Sequence, residues 1–125
     1  MNQDQLFERF PCDEAYGLHT EPTIPVGVIA SRPGAAIAGS FDFHVRFLGS
    51  GGHGGASPDD GVDVNIPCGH FIPALQTIIG RSISSLDSAV ISIGHLHAGN
   101  VDALNIMLKE ATISGTCRYY ESAVA

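Results

Sequence analysis

A chain of 125 residues has room for one ordinary domain, or for a small domain and part of a neighbour. With 44% hydrophobic residues, 15% charged residues and a mean hydropathy of +0.16 it can build a core and does not read as disordered. Six basic side chains against 13 acidic ones give a net charge of −7, and the basic ones are scattered, which argues against a nucleic-acid surface and an anionic membrane surface.

Residues 2–9 suit one short helix, ended by Pro11. Residues 15–19 (Ala15-Tyr16-Gly17-Leu18-His19) read as a short buried strand, stopped by Glu21-Pro22. Residues 26–30 read as a second, bounded by Pro25 and Pro33-Gly34. No helix here is long enough to cover these strands, so the stretch looks like the tail of another domain.

From Phe41 the pattern changes. In residues 41–47 the apolar side chains fall on every second position, which buries one strand face and turns Asp42, His44 and Arg46 to water. A glycine-rich loop follows, and then a helix on whose single stripe Cys68, Phe71, Ile72, Leu75, Ile78 and Ile79 recur. Asn65 is the expected N-cap, Pro67 is tolerable in a first turn, and Gly80 is the expected stop. Pro73 removes one helical hydrogen bond and crowds the carbonyl of Gly69, at a cost of ~3 kcal/mol unless the helix bends. Residues 88–98 and 111–120 read as strands, the latter with Ile113, Cys117 and Tyr119 on one face; the connection over 99–110 has an apolar middle. The fold class is therefore α/β, in the α+β two-layer form. The order strand, helix, strand, strand is a ferredoxin-like βαββ(αβ) sandwich, and the missing second helix and fourth strand suggest truncation.

Cys12, Cys68 and Cys117 are widely spaced with no CxxC, as expected of reduced thiols in the cytoplasm. The N-terminus, MNQDQLFERF, lacks the basic-then-apolar pattern of a signal peptide, and no apolar run approaches the ~20 residues of a membrane helix.

The loop Gly49-Ser50-Gly51-Gly52-His53-Gly54-Gly55 contains a literal GxGxxG after a strand. A dinucleotide fingerprint needs the helix to begin inside the motif and an acidic residue ~20 positions on. Pro58, Asp59, Asp60 and Gly61 delay the helix, and residues 64–86 hold no acid, so nucleotide binding is rejected. What remains is a flexible loop presenting His53. It is either an exposed turn histidine or one delivered to a reaction centre, where imidazole exchanges protons near neutral pH. His19, at the end of its short segment, is open to the same two readings. His95 and His97 share a strand face ~6–7 Å apart, but zinc sites usually need three or four ligands, so they read as surface histidines. Cys117 reads as a core thiol rather than a nucleophile.

The run Leu6-Phe7-Glu8-Arg9-Phe10-Pro11, then Tyr16-Gly17-Leu18-His19 and Pro25-Val26-Gly27, resembles the hippurate hydrolase type of amidohydrolase. Aminoacylases, auxin-conjugate hydrolases and glutamate carboxypeptidases share that metallopeptidase superfamily. The resemblance continues through Arg32-Pro33-Gly34, the loop over 49–58, Val62-Asp63, residues 74–81, residues 86–90, Ala98-Gly99, Asn105 and Gly115-Thr116-Cys117-Arg118, so it covers nearly the whole chain in order.

The resemblance implies a two-domain metalloenzyme roughly three times this length. A catalytic domain carries two divalent metal ions (Zn, Mn, Co or Ni), and an inserted lid domain forms a homodimer. Residues 1–38 would be catalytic-domain sequence and residues 39–125 an incomplete lid. His19 matches a metal ligand, His53 and Asn105 match lid residues at the scissile amide, and Arg118 matches a substrate-binding position. The remaining ligands, a cysteine-histidine motif, a glutamate pair and a late histidine, match nothing in the chain. The implied reaction is hydrolysis of an N-acyl amino acid or similar small amide by metal-activated water, with donors stabilising the oxyanion. The lid's dimerising role assigns His53 to the partner's active site. Alone, the chain is expected to hold no metal firmly and to hydrolyse nothing, and neither nucleic acid nor membrane is an expected partner. The sequence departs from the family pattern at Asp59, where histidine is usual, at Leu108, where proline is common, and at Pro73. A free-standing dimerisation or small-ligand-binding module is the alternative, but such a module has no reason to carry the first 38 residues.

Overall fold

The computed structural model describes residues 4–125. They form two units, one reaching to Arg32 and the other Pro33–Ala125.

The first unit holds a single turn of helix, α1 (Leu6–Arg9). The chain enters it from Gln5, whose carbonyl accepts from the amides of Glu8 at 3.2 Å and Arg9 at 3.0 Å. Of the helix expected over 2–9 the described residues form Leu6–Arg9, and residues 2 and 3 lie outside the described ones. The strands expected over 15–19 and 26–30 do not form. Turns close at Glu21, bonded to Ile24 N, and at Pro25, bonded to Val28 N. Tyr16, Leu18, Val26 and Ile29 are all exposed. Apolar content between turn signals does not by itself make a strand; the ladder and a covered face do, and neither segment has a ladder partner among the described residues.

The second unit is built on an antiparallel sheet ordered β1-β5-β3, with β1 at Gly39–Leu48, β3 at Ala89–His97 and β5 at Glu110–Tyr119. β1 alternates as its sequence predicts: Phe43, Val45 and Phe47 turn inward while Asp42, His44 and Arg46 are exposed. Phe43 and Ile93 both face Gly115, and a methyl group there would meet the Phe43 ring at 2.5 Å. Glycine at the centre of the sheet therefore makes room for an aromatic ring on the next strand.

β3 carries a bulge between Ile93 and His95. Plain alternation from Ile91 and Ile93 would turn His95 and His97 into the core. The extra residue, Gly94, resets the register so that Leu96 faces Ile113 while His95 faces Ser114 and His97 faces Thr112 on the outer side.

One helix, α2 (Asn65–Arg81), covers the inner face. Its cap position is Val64, one residue before the expected Asn65, and the Asp63 carboxylate accepts from the Asn65 amide at 2.8 Å. A carboxylate there also suits the positive end of the helix dipole. Gly80 lies within the helix, which runs to Arg81, and Pro73 is accommodated in its interior. The helical stripe meets the sheet in a small core of Val64, Cys68, Ala111 and Ile113, ringed by Phe43, Phe47, Phe71, Ile72 and Ile93. Phe47 and Phe71 pack edge to face with centroids 5.6 Å apart. Toward the other end of helix and sheet an apolar cleft of about 440 Å³ stays open between Phe41, Leu75, Ile79, Ile91 and Tyr119. Among the described residues no helix is long and apolar enough to cross a membrane.

Sequence periodicity misses a two-stranded ribbon. β2 (Gly52–His53) pairs with β4 (Ile106–Met107), so the glycine loop is held by the connection before β5.

Candidate functional site

The ribbon is where the chemistry collects. Past β1, Gly49 N donates to Lys109 O at 2.9 Å, extending the ladder into the loop. Gly51 then adopts the left-handed conformation (φ 67) that a side chain disfavours, and forms a bridge to Val62. Ser50 Oγ accepts from Val62 N at 2.8 Å. His53 pairs with Ile106 in the ribbon, and its carbonyl accepts from Ala56 N at 3.1 Å and Ser57 N at 2.8 Å. Gly55 N reaches Asn105 O at 3.3 Å. The loop that reads as flexible in sequence is thus hydrogen-bonded along both sides.

These constraints bring the His53 ring to Asn105, with Nε2 3.0 Å from Asn105 Nδ2. An amide nitrogen only donates, so in this orientation Nε2 accepts and the ring proton sits on Nδ1. Turned over, the amide would accept from an Nε2–H instead. Either way one imidazole nitrogen is committed to Asn105 and the other stays free, and both side chains are exposed. In the first orientation the free Nδ1–H is a fixed donor that a carbonyl oxygen can accept from.

Of the other expected site residues, one lies in the first unit and one on β5. His19 belongs to the first unit, is exposed, and its Nδ1 lies 2.6 Å from Thr20 O, which leaves only Nε2 for a ligand. The neighbouring Glu21 carboxyl is held below the usual carboxylate range, chiefly by hydrogen bonds from Thr23. Arg118 lies on β5 eight positions beyond Glu110, about 26 Å along the strand from the loop end. It donates to Cys117 O at 2.9 Å and to Thr116 Oγ1.

His95 and His97 are exposed on the outer face as expected, His95 Nε2 being 3.3 Å from Thr112 Oγ1. The sequence pattern assigns no role to the adjoining His44, whose Nδ1 lies 2.9 Å from Ser114 Oγ in a shallow polar depression on that face. Cys68 and Cys117 are buried, and burial pushes both thiols up, which suits core packing and not nucleophilic attack.

Among the described residues no three His, Cys, Asp or Glu side chains gather as a metal site. The donor set of the described residues does not fit a metal ion by itself.

Residues 35–124 match the family model of the peptidase dimerisation domain. An N-acetyldiaminopimelate deacetylase of Shouchella clausii is 39% identical over 106 residues, covering 85% of this chain and 28% of that protein. Its counterpart in Pediococcus pentosaceus is 37% identical over 117 residues, covering 94% and 30%. The chain thus spans less than a third of the curated relatives it matches. Among solved structures, a protein of methicillin-resistant Staphylococcus aureus named as an aminohydrolase aligns at TM-score 0.68 and 30% identity, over 74% of this chain and 24% of its own. The aminobenzoyl-glutamate utilization protein of Klebsiella pneumoniae, at TM-score 0.52 and 23% identity over 73% and 22%, shares the fold.

Proposed function

This chain belongs to the peptidase dimerisation domain family, and from that premise we propose that it is lid sequence of a metal-dependent amidohydrolase acting on N-acyl amino acids. The relatives' named activity makes an N-acetylated diamino acid such as N-acetyldiaminopimelate the first substrate to try. The observation that carries the reading is the hydrogen bond between His53 and Asn105, which joins two loops 52 positions apart into one polar site. An amide hydrolase must stabilise the oxygen on which charge develops, and a preorganised donor is an effective way to do so.

In this reading residues 1–38 belong to a catalytic domain and residues 39–125 to the lid. His19 contributes one imidazole to a two-metal centre whose other ligands lie outside the chain. His53 and Asn105 contact the reacting amide. Arg118 contacts substrate, a role that requires another domain or subunit to bring substrate to its end of β5. The assembly is a cytoplasmic homodimer, and the 125-residue chain alone is inactive.

The test transplants residues 35–124 into an N-acetyldiaminopimelate deacetylase in place of its own dimerisation domain. The chimera should release acetate from N-acetyldiaminopimelate, and His53→Ala should reduce its kcat by about 10²-fold or more with the dimer intact. Equal rates with and without the imidazole would overturn the reading.

A further inference from the structure

Three of the loop's glycines and one thioether occupy the same space. A methyl group built on Gly61 would lie 2.5 Å from Met107 Cε, one on Gly52 3.1 Å from the same atom, and one on Gly54 3.0 Å from Met107 Cγ. Met107 faces Gly52 directly in the ribbon, one step from the pairing of His53 with Ile106, and follows Asn105 by two residues. Its side chain is half-buried, whereas those of His53 and Asn105 are exposed.

From this packing we propose that Met107 is the positioning residue of the His53–Asn105 pair. The proposal rests on the reading of His53 as the lid histidine. Glycines have no side chains with which to wedge a loop in place. Here the wedge comes from the opposite strand: the thioether chain fills room that a Cβ at 52, 54 or 61 would need, and at 61 the Gly51 carbonyl oxygen fills it as well. Methionine is well suited to fill such an irregular gap, because its side chain is unbranched and bends readily. Shortening it leaves a void beneath a backbone otherwise held by its hydrogen bonds alone, and His53 loses its register against Asn105. Leucine, of nearly the same volume, keeps that support.

The decisive measurement is nuclear magnetic resonance on the isotope-labelled 125-residue chain, with the His53 ring signals assigned by their loss in His53→Ala. In the native chain the Met107 methyl should show proximity to the α-protons of Gly52 and Gly61. Met107→Ala should shift the His53 ring carbons toward those of a free imidazole and speed exchange of the Asn105 side-chain amide several-fold, while β1, β5 and β3 amides keep their dispersion. Met107→Leu should keep the native ring and amide signals. In the chimera Met107→Ala should lower kcat and leave KM unchanged, a split that general loosening would not produce.

Native ring and amide signals in Met107→Ala would overturn the proposal. If Met107→Ala fails to fold, the native methyl contacts and Met107→Leu decide: no methyl proximity to either glycine, or a free-imidazole signature in the leucine variant, would overturn it. The resonance experiment does not depend on hydrolysis. A ring that moves with Met107 in a chimera indifferent to His53→Ala would mean that the positioning is sound and the hydrolase reading is wrong.

Discussion

Asn105 Nδ2 sits 3.0 Å from His53 Nε2, so the imidazole's orientation depends on a residue in a separate loop. Two residues that act as one unit lose function together. In the chimera, Asn105→Ala should cost about 10-fold or more in kcat, and Asn105→Ala with His53→Ala should cost little beyond His53→Ala alone. A double-mutant cycle on acetate release measures this. Strictly multiplicative losses would mean that the hydrogen bond does not couple the two side chains in the reaction.

The bulge at Gly94 leads to a second expectation. Deleting Gly94 removes the extra residue, so His95 follows Ile93 directly and plain alternation keeps His95 and His97 outward and Leu96 opposite Ile113. Alternation that counted Gly94 would instead bury two imidazoles without partners, at roughly 1–3 kcal/mol each. The deletion should therefore keep the cooperative urea transition, and Gly94→Ala should keep it too, because open space surrounds that position. A deletion variant that loses the transition would show that Gly94 is more than the extra residue of the bulge.

Those two cases mark what the sequence makes legible and what it hides. The alternation over 41–47 and the stripe from Cys68 to Ile79 are visible because long elements with one covered face must repeat with a fixed period. The β2–β4 ribbon has two residues per strand, too few for any period. The reset at Gly94 becomes visible only once β5 supplies a partner. Residues 15–19 and 26–30 have strand composition but no ladder, and composition alone misleads there. His53 and Asn105 emerge as a pair through family resemblance and not through spacing. Met107 carries no signal at all, since its meaning lies in three glycines that a linear reading treats as mere flexibility.

A third expectation concerns pH. Arg46 Nε and Nη2 donate to the two carboxylate oxygens of Glu110 at 3.0 and 2.8 Å. Those bonds hold the Glu110 carboxyl below its ordinary range and raise Arg46. A carboxylate with a depressed folded pKa adds stability above its unfolded pKa and loses it as pH falls through the folded one. The stability difference between the native chain and Glu110→Gln should therefore be constant near neutrality and shrink toward zero as the solution is acidified below the ordinary carboxylate range. The side chains are 63% and 43% exposed, so the effect is small and falls with added salt. Urea midpoints across acidic pH at two ionic strengths check this, and a difference that grows on acidification contradicts it.

The last expectation concerns which subunit His53 serves. The His53 and Asn105 side chains are exposed, and the chain belongs to a family of dimerisation domains, so the imidazole is open to a partner subunit as well as to its own. Consider two chimeras, one carrying His53→Ala and the other a disabled metal ligand in the deacetylase part, each inactive alone. If His53 acts on the partner's site, a mixed dimer contains one site with an intact metal centre and an intact imidazole, while its other site lacks both. Random exchange of equal amounts places half the population in mixed dimers, so about a quarter of native activity should return in a two-fold symmetric assembly. If His53 acts within its own subunit, every site in the mixture lacks one component and activity stays absent. Subunit exchange followed by an independent label, with no recovered hydrolysis, would therefore assign the imidazole to its own subunit.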